Sequence, residues 1–105
     1  GGVLTATSSG VPIVETADCT VTLPAVTLGH SYWIINGMTD GTAITVSPNA
    51  NDKFIINAAG AAGTNDKDLI LTGGTAETGD YVKLGFASAD GWVINEKAGT
   101  WADQS

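Results

Sequence analysis

Apolar and polar residues alternate along much of the chain with the period of two that a strand requires. In CTVTL (19–23), Cys19, Val21 and Leu23 fall on one side and Thr20 and Thr22 on the other, and Pro24 ends the run. AITVS (43–47) repeats the pattern with Ile44 and Val46 and stops at Pro48. DYVKLGF (80–86) sets Val82, Leu84 and Phe86 against Tyr81 and Lys83. VPIVET (11–16) is an entry segment, placed at a sheet edge because Pro12 cannot donate to a ladder. GWVINE (91–96) returns from 80–86 through ASAD (87–90), which makes this pair a hairpin. Thr100-Trp101 is a last short strand or a tail.

Three runs break the alternation. SYWIIN (31–36), KFIIN (53–57) and DLILT (68–72) are apolar on both sides, so each needs cover on two faces. Asn36-Gly37, Asp40-Gly41 and Asp90-Gly91 are turn signals. No stretch reads as a helix; residues 57–63 come nearest and hold too many glycines. Residues 58–66, small and glycine-rich, read as an exposed loop. The expected fold is all-β: a small antiparallel β-sandwich or barrel-like domain of about seven to nine short strands. Residues 1–18 are expected as an extended N-terminal arm and edge segment, and residues 19–105 as the sandwich domain. Tyr32, Ile34, Phe54, Ile56 and Leu69 are the expected core.

A chain of 105 residues suits one domain and is too short for three layers. With no helix to cover the second apolar side of 31–36, 53–57 and 68–71, the remaining cover is another copy of the chain. A homo-oligomer is therefore expected, with Val3, Leu4, Tyr32, Trp33, Ile35, Ile55, Ile70 and Trp101 as its interface or as contacts to another partner. Burying each large apolar side chain is worth roughly 1.5–3 kcal/mol.

Composition narrows the partners. Charged residues make up 14% of the chain, against about a quarter in a typical soluble domain, which suits a surface covered by partners. Four lysines, no arginine and 11 acidic residues argue against nucleic acid and anionic membranes. No apolar run reaches membrane-spanning length. Cys19 is the sole cysteine, so no internal disulfide forms, as expected of a protein assembled in a reducing compartment. It reads as a small buried hydrophobe. The opening Gly1-Gly2 is expected of a processed chain or of a piece of a longer one.

Candidate chemistry is sparse. His30 is the only histidine, and its neighbour Ser31 points to the opposite face of a strand, so no nucleophile and base pair emerges. One Cys and one His cannot make a zinc site. Asn49, Asn51 and Asp52, and Asn65, Asp66 and Asp68, offer oxygens for calcium but lack the spacing of a calcium loop and read as turns. Trp33, Trp92 and Trp101 could stack on a sugar or anchor a core and an interface; packing is the preferred reading. No catalytic, metal or cofactor-binding residue is assigned, and an enzyme is not expected.

One longer pattern remains: Leu23-Pro24 closing a strand, Gly29 before Tyr32–Asn36, Thr45 to Pro48, then Gly79–Phe86 returning through Gly91-Trp92. Over residues 19–101 this resembles a β-rich module common in tailed-phage virion proteins. The module occurs as a capsid decoration, or cement, protein and in the C-terminal part of tail fibres and tailspikes. The resemblance implies a homotrimer on the outer surface of a phage head, made in the bacterial cytoplasm and bound to the major capsid protein. The tail setting implies instead a trimeric receptor- or glycan-binding module. In the head setting, GGVLTATSSG (1–10) would be an arm laid across the shell or a neighbour.

Overall fold

The computed structural model describes residues 2–26, 30–38 and 43–104. Among them the chain is all-β, with ten strands and one short 3-10 turn at Ala6–Ser8. The strands are β1 (Gly2–Val3), β2 (Pro12–Glu15), β3 (Cys19–Thr22), β4 (Ser31–Asn36), β5 (Ile44–Ser47), β6 (Lys53–Phe54), β7 (Leu69–Leu71), β8 (Tyr81–Ser88), β9 (Gly91–Ala98) and β10 (Trp101–Asp103). They form two packed sheets of five, ordered β1-β3-β5-β7-β10 and β2-β4-β8-β9-β6. The Asp40-Gly41 turn and Gly29 lie outside the described residues.

The two-layer all-β architecture agrees with the pattern of the sequence. The sandwich is expected to be antiparallel; both of its sheets are mixed. β1, β3 and β5 run parallel, as do β2 with β4 and β6 with β9; the other pairings are antiparallel. Local alternation settles which side chains share a face, but not the direction of the neighbouring strand. Successive strands here cross between the two sheets, and that crossing is what makes the parallel pairs.

Pairing explains the doubly apolar runs. In β4, Tyr32, Ile34 and Asn36 are buried, while Trp33 and Ile35 face outward and are half-buried. In β7, Leu69 and Leu71 are buried and Ile70 faces out. The core gathers Val21, Leu23, Ile44, Val46, Phe54, Val82, Leu84 and Trp92 from both sheets. Tyr32 packs edge-to-face on Trp92 with centroids 5.4 Å apart, the arrangement aromatic pairs prefer. Of the expected core, Tyr32, Ile34, Phe54 and Leu69 are buried; Ile56 is 50% exposed and belongs to the surface, because β6 ends at Phe54.

Residues 2–15, two short strands joined through the 3-10 turn at Ala6–Ser8, lie along their own domain. β1 forms one edge of the first sheet and β2 one edge of the second. Between them the Tyr32 hydroxyl donates to the Thr5 carbonyl (3.1 Å), the Ser31 N–H to Ser9 Oγ (2.9 Å) and the Gly10 N–H to the Ser31 carbonyl (2.9 Å). Leu4 packs against the core. Pro12 sits at an edge strand, the position its missing N–H requires.

Tyr81–Ser88 and Gly91–Ala98 form the expected hairpin, with a register shift between Lys83 and Leu84. Asn36 closes the other end. It is buried, its Nδ2 donates to the Glu77 carbonyl (2.9 Å) and its Oδ1 accepts the Met38 N–H (3.0 Å). The exposed 58–66 loop is tethered: Asp103 accepts the Ala58 and Ala59 N–H groups at 2.7 and 3.1 Å, and Asn57 Oδ1 accepts those of Ala59 and Ala61.

Candidate interaction face

The outward face of the second sheet is the most distinctive surface of the molecule. Register places Pro12 beside Trp33 and Val14 beside Ile35 across β2 and β4, then Trp33 beside Lys83 and Ile35 beside Tyr81 across β4 and β8, and Lys83 beside Glu96 across β8 and β9. Paired residues share a face. The result is an apolar stripe of Pro12, Val14, Trp33 and Ile35 along one side of an aromatic and charged cluster. Val14 is 56% exposed.

The cluster is tightly connected. The Lys83 ammonium lies 4.5 Å from the Trp33 ring centroid and 5.7 Å from that of Tyr81. Trp33 and Tyr81 meet edge-on at 6.2 Å. Tyr81 donates its hydroxyl proton to Glu96, and that hydrogen bond, followed by burial and the Glu96 charge, raises the Tyr81 phenol above its ordinary value. Lys83 also stands 4.0 Å from the Glu96 carboxylate. Within this exposed set the one carboxylate already has two partners. Trp33 Nε1 is buried and has no hydrogen-bond partner among the described residues, a donor left unsatisfied at a cost of about 1–3 kcal/mol.

Beside the cluster a cleft of about 280 Å³ is bordered by Gly10, Ser31, Trp33, Lys83 and Asn95. Nearby, Gly85, opposite Ser31, has no side chain, and the Asn95 amide, at the β-bulge, occupies the space a Cβ would take. A second hollow, near Phe54, Lys67 and Asp103, is about 30 Å³, the size of one water.

Charge is distributed unevenly. The chain carries a net charge of −7, yet Asp18, Asp66, Asp68, Glu77, Asp80 and Asp90 all lie in the loops joining strands. The outward face of the second sheet carries Lys53, Lys83 and Glu96. That of the first sheet carries Thr20, Thr22, Thr45, Ser47, Ile70 and Ala102 and no charged side chain. Both broad faces are close to neutral, and the rims are acidic.

The expected interface residues fall in different places. Trp33 and Ile35 come together on the face just described. Val3, 72% exposed, and Ile70 are on the outward face of the first sheet, with β3 and β5 between their strands; Leu4 is half-buried, and Ile55 follows β6 at the far edge of the second sheet. Tyr32 is buried in the core of its own chain. Trp101 is 7% exposed, and its Nε1 donates to the Tyr81 and Ala98 carbonyls at 3.1 and 3.0 Å. Pro12, Val14, Tyr81, Lys83 and Glu96 complete the face without having been singled out. The alternation in DYVKLGF sets Tyr81 and Lys83 outward; only register sets them against Trp33.

The remaining candidates have structural partners. Trp92 is fully buried, so with Trp101 it supplies no stacking platform, and one face of Trp33 carries Lys83. The buried Asp52 accepts the Val26 N–H at 2.8 Å. Asn49 accepts the Asn51 and Asp52 N–H groups in a turn, and Asp66 adopts a positive φ of 61° in another. Gln104 and Asp68 exchange hydrogen bonds. The Cys19 thiol lies 3.5 Å from a Glu15 carboxylate oxygen, and burial pushes its pKa up, away from thiolate chemistry. The His30 carbonyl accepts the Phe86 N–H. Among the described residues no three His, Cys, Asp or Glu side chains gather as a metal set, and no helix is long and apolar enough to cross a membrane. Comparison with known proteins returns no matching family model, no similar curated protein and no similar solved structure.

Proposed function

We propose that this chain is a structural virion protein, a capsid decoration trimer that binds the outside of a phage head and stabilises the shell. The observation that carries the reading is the outward face of the second sheet: broad, partly apolar and nearly neutral on a chain most of whose described acids are in its loops. Such a face is suited to packing against protein. The resemblance of residues 19–101 to virion modules supplies the setting. The mechanism needs no reacting group. A protein that binds the assembled shell and not its dissociated subunits stabilises the assembled state by mass action.

A second reading has one observation in its favour. The cleft beside Trp33 brings an indole, the Lys83 ammonium, the Asn95 amide and the Ser31 hydroxyl together, a mixture of apolar wall and few polar groups that suits a small ligand. A trimeric receptor- or glycan-binding module of a tail fibre or tailspike would use it.

Copy number separates the two. The chain is quantified against the major shell protein in purified particles by mass spectrometry. A ratio near that of the shell subunit is expected of a decoration protein. A handful of copies moves the chain to the tail and makes the cleft the functional site. No copies at all ends the virion reading.

A further inference from the structure

The proposed function leaves open which surface meets which partner. We infer that a second copy of this chain packs on the Pro12–Val14–Trp33–Ile35 stripe of the second sheet. This inference rests on the virion reading only for the expectation of a trimer.

Area comes first. Strands rise about 3.3 Å per residue and lie about 4.8 Å apart, which gives the second sheet a plan of about 440 Å² and the first about 250 Å² from their strand lengths. A stable interface buries about 800 Å² of accessible surface on each partner. A corrugated face exposes more than its plan, and the flanking residues 10 and 11 add to it. The second sheet offers nearly twice the plan of the first and is the larger of the two faces available for such a contact.

Charge comes second. Two copies of a chain with net charge −7 repel unless the contact avoids the acids. The outward face of the second sheet presents Lys53 and Lys83 against the single carboxylate of Glu96, which is already engaged by Lys83 and Tyr81. Packed there, a neighbour meets a neutral to slightly basic surface while its acidic loops remain at the rim or approach the lysines. A trimer closes by a heterologous contact of this kind, face of one copy to a different surface of the next.

The third observation is Trp33 itself. It is half-buried on this face, and its ring is already occupied by Lys83 and Tyr81. A sugar seeking the ring face finds an ammonium 4.5 Å from its centroid. Pro12 at the edge denies β2 one ladder donor, which disfavours strand addition along that side of the face.

Sedimentation velocity on the 105-residue chain and on Val14→Glu, Ile35→Glu and Val3→Glu tests this over a wide concentration range. Val14 and Val3 are both exposed, so their variants fold, and circular dichroism checks all three. The wild type and Val3→Glu are expected to associate alike. Val14→Glu and Ile35→Glu are expected to weaken association about tenfold or more, as a charge placed inside an interface does. A monomeric wild type, an unchanged Val14→Glu, or dissociation by Val3→Glu alone overturns the inference. Particle copy number is independent of this result. A monomer present at shell stoichiometry overturns the second-copy contact and leaves the virion reading standing; an oligomer through this face that is absent from particles upholds the contact and removes the virion reading.

Discussion

The Lys83 ammonium lies 4.5 Å from the centroid of the Trp33 ring, held over it by a neighbouring strand. Its charge meets the negative face of the ring of an outward, half-buried tryptophan. Replacing Lys83 by Met keeps the stem and removes the charge. Urea unfolding of Lys83→Met should show a loss of about 0.5–1 kcal/mol. Lys83→Arg should be close to wild type, since a guanidinium stacks on the same ring. An unchanged midpoint in Lys83→Met would mean that the contact contributes packing and no electrostatic energy.

Tyr81 supplies a pH dependence. Its phenol is hydrogen-bonded to the Glu96 carboxylate and titrates above its ordinary value, which is about 10. A folded-state pKa raised over the unfolded one gives stability that is fully present below the unfolded value and is lost as pH rises through the folded one. Stability should therefore fall above about pH 10. Phenolate absorbance should show both tyrosines titrating late, Tyr32 through burial, and Glu96→Gln should return only Tyr81 towards the ordinary range. If both tyrosines remain late in Glu96→Gln, the hydrogen bond is not the cause of the Tyr81 shift.

Gly91 opens β9 where β6 runs alongside in parallel. A Cβ there would fall on the Lys53 carbonyl oxygen, so the two backbones cannot keep their pairing around a side chain. Gly91→Ala should cost about 1–3 kcal/mol through overpacking against backbone. Gly74→Ala meets open space and should stay within about 0.5 kcal/mol of wild type. Thermal unfolding of the pair measures the contrast, and equal effects would contradict the close approach of β6 to β9.

Asp103, in the last strand, holds the 58–66 loop by accepting two backbone N–H groups, those of Ala58 and Ala59. Asp103→Ala removes both acceptors. Hydrogen exchange at Ala58 and Ala59 should quicken markedly, with a stability loss of about 1–3 kcal/mol. Asp103→Asn retains one acceptor oxygen and should fall between. Unaltered exchange in Asp103→Ala would show that Asn57, which accepts from Ala59 and Ala61, orders the loop by itself.

The alternation of the sequence by itself determined which side chains enter the core: Val21 and Leu23 from one run, Ile44 and Val46 from another, Val82 and Leu84 from a third all lie where a period of two puts them. It also determined the hairpin of β8 and β9, because a turn between two adjacent runs closes few residues, and the edge position of Pro12, because a missing donor is a local property. The outward side of Trp33 and Ile35 could be read in SYWIIN. What covers that side could not, since Lys83, Tyr81 and Val14 reach it through pairings across 20 to 50 residues of chain. Tertiary structure alone decided the parallel pairings, the docking of residues 2–15 as one edge strand for each sheet, the burial of Trp101 and the exposure of Ile56. The physical reason is the same in each case. A strand's own residues specify its two faces, but its partner, direction and register are chosen by the burial and hydrogen bonding of the whole sandwich.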